Sequence, residues 1–120
     1  MLGIGIDLVE IRKFETLLTT GDFLERCFSK AEITQYKKIK KITYLAGRFA
    51  AKEAVVKVLG TGLIEGFSFS DIEIIQLPSG APEVKLNDMV AALALDLGIS
   101  KWLISISHTE SYATAFVMAE

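Results

Sequence analysis

The segment from Tyr44 to Leu59 carries Arg48, Lys52, Glu53 and Lys57 in surroundings that are otherwise almost wholly apolar. At about 100° per residue, Leu45, Phe49, Val56 and Leu59 form one stripe, and Ala46, Ala50, Ala51, Ala54, Val55 and Val58 cover much of the remainder. A helix that is apolar nearly all round is a buried one, and charges on it need partners. Glu53 and Lys57 make a favourable i,i+4 pair, which leaves Arg48 and Lys52 unmatched. One carboxylate beside three cations suits a magnesium ion with a polyphosphate. Mg²⁺ is held by one or two carboxylates plus phosphate oxygens, and Lys and Arg neutralise the rest.

A second carboxylate lies near the start of the chain. Alternation over Leu2 to Val9 puts Ile4, Ile6 and Leu8 on one face of a strand and Gly3, Gly5, Asp7 and Val9 on the other. Asp7 therefore looks across a floor of glycines, which leaves room for a ligand or for close approach of another backbone. The same residue also fits a capping box, Asp7-Leu8-Val9-Glu10, at the start of the next helix. His108, at the end of a later strand, and Gly60-Thr61-Gly62, whose backbone N–H groups could receive a phosphate, are weaker signals. Ser105 and Ser107 lack the G-x-S-x-G elbow of a nucleophile, and Gly3-x-Gly5 lacks the third glycine of a dinucleotide fingerprint.

These residues need a scaffold. After the first strand, Ile11, Phe14, Leu17 and Leu18 fall on one helical face that Gly21 ends. Ser29-Lys30-Ala31-Glu32 is a capping box for a helix reaching about Lys40, and Thr43 is the expected cap of the long helix, which stops at Gly60. Ile72 to Ile74 and Val84 to Leu86, around Pro78-Ser79-Gly80-Ala81-Pro82, read as a β-hairpin. Asn87 is placed to cap a helix whose inner face is Val90, Leu93, Ala94 and Leu97 and which Gly98 closes. Two strands follow, Trp102 to Ser107 and Tyr112 to Met118. Helices in the first half and mostly antiparallel strands in the second predict an α+β fold, helices packed on a small sheet in a single domain over residues 1–120.

The 120 residues are 51% hydrophobic and 23% charged with two prolines, which excludes disorder and collagen-like sequence. One cysteine, Cys27, excludes a disulfide framework, and one histidine excludes a His-clustered metal site. No apolar run approaches the ~18 residues of a membrane span, and the N-terminus lacks a basic signal-peptide region, so the cytoplasm is the expected compartment. Residues 26 to 57 hold nine cations against two carboxylates in a chain of net charge −2. That asymmetry points to an anionic partner at one face or, more plainly, to a solvated lysine-rich surface.

Gly3-Ile4-Gly5-Ile6-Asp7-Leu8-Val9-Glu10-Ile11, Phe28-Ser29-Lys30-Ala31-Glu32, Gly47-Arg48-Phe49-Ala50-Ala51-Lys52-Glu53-Ala54 through Lys57, Gly60-Thr61-Gly62 and Ser105-Ile106-Ser107-His108 resemble, in order and spacing, the holo-acyl-carrier-protein synthases. These are the small bacterial type of 4'-phosphopantetheinyl transferase, and the resemblance spans nearly the whole chain. It implies transfer of the phosphopantetheine arm of coenzyme A to a serine of apo acyl carrier protein, releasing adenosine 3',5'-bisphosphate. Asp7 and Glu53 match the Mg²⁺ ligands, and Lys57 matches a basic catalytic residue near the pyrophosphate. Arg48, His108 and Thr109 match the nucleotide end, with Gly60 and Gly62 approaching the coenzyme through their backbone. Glu53 is a candidate proton acceptor, directly or through water.

The resemblance also implies partners. Arg12, Lys13, Phe23 and Arg26 match contacts to the acidic carrier protein, although Asp22 stands where related enzymes often carry a basic residue. Val55-Val56 likewise replaces a commoner small or hydroxyl residue before Lys57. A homotrimer with each site shared between subunits is expected, and neither nucleic acid nor membrane is. The competing readings are a non-catalytic coenzyme A or nucleotide-binding module and a purely structural oligomer. A binder has no need of a paired carboxylate metal site.

Overall fold

The computed structural model describes residues 2–60 and 67–120. Thr61 and Gly62 of the glycine motif lie outside these residues. The chain runs β1 (Gly3–Glu10), α1 (Ile11–Leu18), α2 (Phe23–Cys27), α3 (Lys30–Ile39), α4 (Ile42–Leu59), β2 (Ile72–Gln76), β3 (Pro82–Leu86), α5 (Asp88–Asp96), β4 (Trp102–His108) and β5 (Tyr112–Ala119). The main sheet is antiparallel in the order β1-β5-β4, and β2 and β3 form the expected hairpin as a separate two-stranded sheet. The α+β prediction therefore holds.

Helix α4 lies across the inner face of the main sheet, and small residues let it approach closely. Ala113, Ala115, Val117 and Ala119 of β5 are buried beneath it. On β1, a Cβ at Gly5 would stand 2.1 Å from the carbonyl oxygen of Ala54, and one at Gly3 would stand 3.1 Å from Val58 Cγ1. Of the two purposes offered for the glycine floor, close backbone approach is the one the fold uses. On the far side of α4, Phe49 meets Phe14, Phe23 and Phe69 at ring-centroid separations of 5.4, 5.6 and 6.1 Å. Phe23, matched above to a carrier-protein contact, is thus a buried core residue, only 8% exposed.

Among the described residues, nothing covers the other face of the main sheet. Ile4, Ile6 and Leu8 are 55%, 60% and 64% exposed, and Phe116 and Leu103 face the same way. Soluble chains seldom leave so continuous an apolar face open.

Two cap assignments are corrected. The Ser29 capping box is present in both directions, but α4 starts at Ile42 with Lys41 as its uncapped N-cap rather than at Thr43. Lys40 takes a left-handed backbone (φ 58°) that ends α3, so only Lys40 and Lys41 separate the two helices and α4 must begin early. Asn87 precedes α5 without a side-chain cap bond, and its Nδ2 donates to Glu73 Oε1 at 3.1 Å. Leu97, expected inside, is 45% exposed.

Candidate active site

Asp7 lies inside β1, paired with Ala115, and Glu10 is the N-cap of α1. The capping-box alternative for Asp7 is therefore set aside, and its carboxylate is free for other work. The packing of Gly3 and Gly5 against Ala54 and Val58 brings this strand beside the turn of α4 that carries Glu53 and Lys57. Lys57 Nζ donates to Asp7 Oδ1 at 3.2 Å and to the Ile6 carbonyl at 2.8 Å. The i,i+4 partner suggested by the sequence, Glu53, is not the one Lys57 takes. Burial and then the nearby Asp7 carboxylate push the Glu53 carboxyl above its ordinary value, and Lys57 offsets them only in part.

This arrangement is a pair of carboxylates that repel one another, with one ammonium between strand and helix. Two hard oxygen donors brought together in this way fit a divalent cation, and Mg²⁺ takes one or two carboxylates and completes its shell with water or phosphate oxygens. Among the described residues, no cluster of three or more His, Cys, Asp and Glu side chains is placed to hold a metal. A pocket of about 420 Å³ opens over Ile6, Asp7, Leu8, Lys57 and Thr114. Next to it, a hollow of about 150 Å³ is lined by His108, Thr109, Leu8 and Thr114 among others. Leu8 and Thr114 are common to both, so the structure brings His108 and Thr109 alongside Asp7 and Lys57.

Two expectations from the long helix come out differently. Lys52 is no anion-binding cation: it is fully buried and paired with Glu32 Oε1 at 2.7 Å, and it donates to the carbonyls of Phe69 and Ile72. Burial pulls its pKa down while Glu32 holds it up. Glu32 in turn accepts from Ser29 N–H, as the capping box requires, and through Oε2 from the backbone of Ile74. Lys52 and Glu32 thereby lock α3, α4 and β2 together. Arg48 is the second case. Nine residues before Lys57, it sits about half a turn round the helix from it, on the opposite flank. Its guanidinium stacks 4.1 Å from the centre of the Tyr44 ring, and its buried Nε has no hydrogen-bond partner among the described residues. Tyr44 lines a different pocket, of about 390 Å³, against Gln35 and Gln76.

Gly60 closes α4 with a positive φ of 61°. The residue that sequence reasoning missed is Thr114, whose Oγ1 donates to the Asp7 carbonyl at 2.8 Å. Its one signal in the sequence is a hydroxyl on the outward alternation of Tyr112, Thr114, Phe116 and Met118.

Residues 3–117 match the 4'-phosphopantetheinyl transferase superfamily. The holo-[acyl-carrier-protein] synthase of Blochmanniella pennsylvanica is 47% identical over 121 residues, spanning 98% of this chain and 97% of that protein. The crystal structure of the Neisseria meningitidis holo-[acyl-carrier-protein] synthase superposes with a TM-score of 0.89 at 34% identity, covering 100% of this chain and 98% of the other. The Helicobacter pylori enzyme, solved in complex with coenzyme A, gives a TM-score of 0.83 at 36% identity over 98% and 99% of the two chains. A match over nearly every residue, joined to a site in which Asp7, Glu53 and Lys57 meet, places this chain in the 4'-phosphopantetheinyl transferase superfamily.

Proposed function

We propose that the protein transfers the 4'-phosphopantetheine arm of coenzyme A to a serine hydroxyl of an apo acyl carrier protein and releases adenosine 3',5'-bisphosphate. The observation that carries the reading is the Asp7–Lys57 contact beside Glu53 at the mouth of an open pocket. Asp7 and Glu53 would hold Mg²⁺, which supplies charge neutralisation at the diphosphate. The serine oxygen bonds to the phosphorus bearing the pantetheine arm, and the bridging P–O bond of the diphosphate breaks. Lys57 stabilises the negative charge gathering on the departing bisphosphate. Glu53, its proton affinity raised by burial and by Asp7, takes the serine proton, directly or through water.

The nucleotide end falls to Arg48, His108, Thr109, Gly60 and Gly62. The unpartnered Nε of Arg48 is a donor in want of an oxygen acceptor, as a phosphate would provide. Arg48 faces away from Lys57 on the helix, so one ligand reaches both most simply when neighbouring subunits share the site. The bare apolar face of Ile4, Ile6, Leu8 and Phe116 is the surface such a homotrimer would cover. Arg12 and Lys13, exposed on α1, and Arg26 are the cations offered to an acidic carrier protein. Among the described residues no helix is long and apolar enough to cross a membrane, and the cytoplasm is the compartment this function expects.

Asp7→Asn and Glu53→Gln test the assignment, since each removes a charge at nearly constant volume. Each is expected to lose most turnover while thermal melting shows an intact fold. Near-normal magnesium-dependent activity in either variant would overturn that residue's role.

A further inference from the structure

We propose that Lys57 is the built-in counter-ion of the metal-free site, bound to Asp7 until a divalent cation balances the carboxylates and freed for substrate only then. The inference rests on the metal reading of Asp7 and Glu53 and goes one step beyond it. Lys57 and Glu53 have the spacing of a helical ion pair, yet Lys57 reaches across to β1 and bonds there twice, to Asp7 Oδ1 and to the Ile6 carbonyl. Its partner is set by tertiary structure, at the atom a cation would need.

Charge and mobility point the same way. Two carboxylates and one ammonium leave the site with negative charge in excess, which a divalent ion removes and a single lysine does not. Once such an ion sits on the Asp7 carboxylate, like-charge repulsion acts on the neighbouring ammonium. Asp7 cannot yield, because β1 is pressed against α4 at Gly5 and Ala54. Lys57 can: its side chain is 54% exposed against 18% for Asp7, and four rotatable carbons carry its ammonium. The pocket over Asp7 and Lys57 is open space for it to enter. Lys57 is thus tied down while no cation is present and available to the diphosphate only in the loaded enzyme.

The test labels the wild-type protein with acetic anhydride, with and without MgCl2, and reads modification of Lys57 by peptide mass spectrometry. Calorimetric titration with MgCl2 reports binding in parallel. Magnesium should raise Lys57 labelling several-fold, and Glu53→Gln should abolish the rise. Lys57→Met should bind Mg²⁺ about two- to fivefold more tightly, the fold-change that corresponds to a partly exposed ion pair. If calorimetry shows binding but Lys57 labelling stays level or falls, or if Lys57→Met binds no more tightly, the ion pair is permanent and the proposal is wrong. If the wild type binds no Mg²⁺ at all, the metal reading itself fails and takes the proposal with it. The labelling arm uses unmodified protein, so it decides the matter even if Lys57→Met does not fold.

Discussion

Gly5→Ala tests whether the approach of β1 to α4 sets the geometry of the site. The new methyl would stand 2.1 Å from the Ala54 carbonyl oxygen, 3.0 Å from its carbonyl carbon and 3.1 Å from Val58 Cγ2, where ordinary contact begins at 3.4 Å. The two nearest atoms are helix backbone, so no side-chain rotation relieves the clash and strand and helix must part by about 1 Å. Overpacking of this kind costs about 1–3 kcal/mol, which lowers the melting temperature of a domain this size by about 4–12 °C. Asp7, two residues along the strand, moves with it away from Glu53 and Lys57, and a misplacement of about 1 Å in a catalytic constellation costs about 10²-fold in rate. Gly3→Ala is the control, because among the described residues its contacts within 4 Å are with the Val58 side chain alone, the nearer at 3.1 Å, and that side chain can turn. Melting curves and steady-state turnover of the two variants decide the question. A Gly5→Ala enzyme with wild-type kcat and melting temperature, or a Gly3→Ala enzyme damaged to the same degree, would refute the reasoning.

The ionisation of Glu53 has a consequence for stability. Its folded pKa is raised, so the penalty is absent below the ordinary value of 4.5, grows as pH climbs through the shifted range and is complete above it. Glu53→Gln should therefore melt higher than the wild type at neutral pH in chelator, with the difference vanishing in acid; equal melting at both pH values would contradict the burial of Glu53. Lys52→Met or Glu32→Gln alone leaves a buried group without its ion-pair partner and should cost about 3–5 kcal/mol in chemical denaturation, whereas the double variant should recover part of the loss. Purely additive losses would show that the pair is not the lock it is described to be. Arg26 Nε is held by Asp22 Oδ1 at 2.8 Å, so Asp22→Asn should lower the KM for carrier protein by up to about fivefold. The same KM should rise with salt. A KM indifferent to both would move carrier docking elsewhere.

The legible parts of the fold were the local ones. The Ser29–Glu32 capping box, the hairpin and the glycine closing α5 each depend on residues within a few positions of one another, and each is where the sequence placed it. The burial of α4 was legible from its all-round apolar character, as was the inward placing of Asp7 from alternation. Lys52 was misread because angular position on a helix says that a charge is buried but not what meets it. Its partner lies 20 residues away on α3, already accounted for as a cap. The choice of Asp7 over Glu53 by Lys57, across 50 residues, was hidden for the same reason. Phe23 was matched to a carrier contact by resemblance alone, and its burial was hidden because the four phenylalanines that build the core with it and Phe49, namely Phe14, Phe28, Phe67 and Phe69, come from scattered segments. Thr114 escaped notice because a threonine in a strand is ordinary until its neighbour across the sheet proves to be Leu8, beside Asp7.

The central claim is that this site moves a phosphopantetheinyl group, and the mass of the carrier protein tests it most directly. Apo acyl carrier protein incubated with the enzyme, coenzyme A and magnesium should gain the mass of one phosphopantetheinyl group on a single serine, and should gain nothing when Asp7→Asn replaces the wild type. A carrier serine that stays unmodified with active wild-type concentrations of enzyme, while coenzyme A still binds, would contradict the transferase account and leave a coenzyme-binding module in its place.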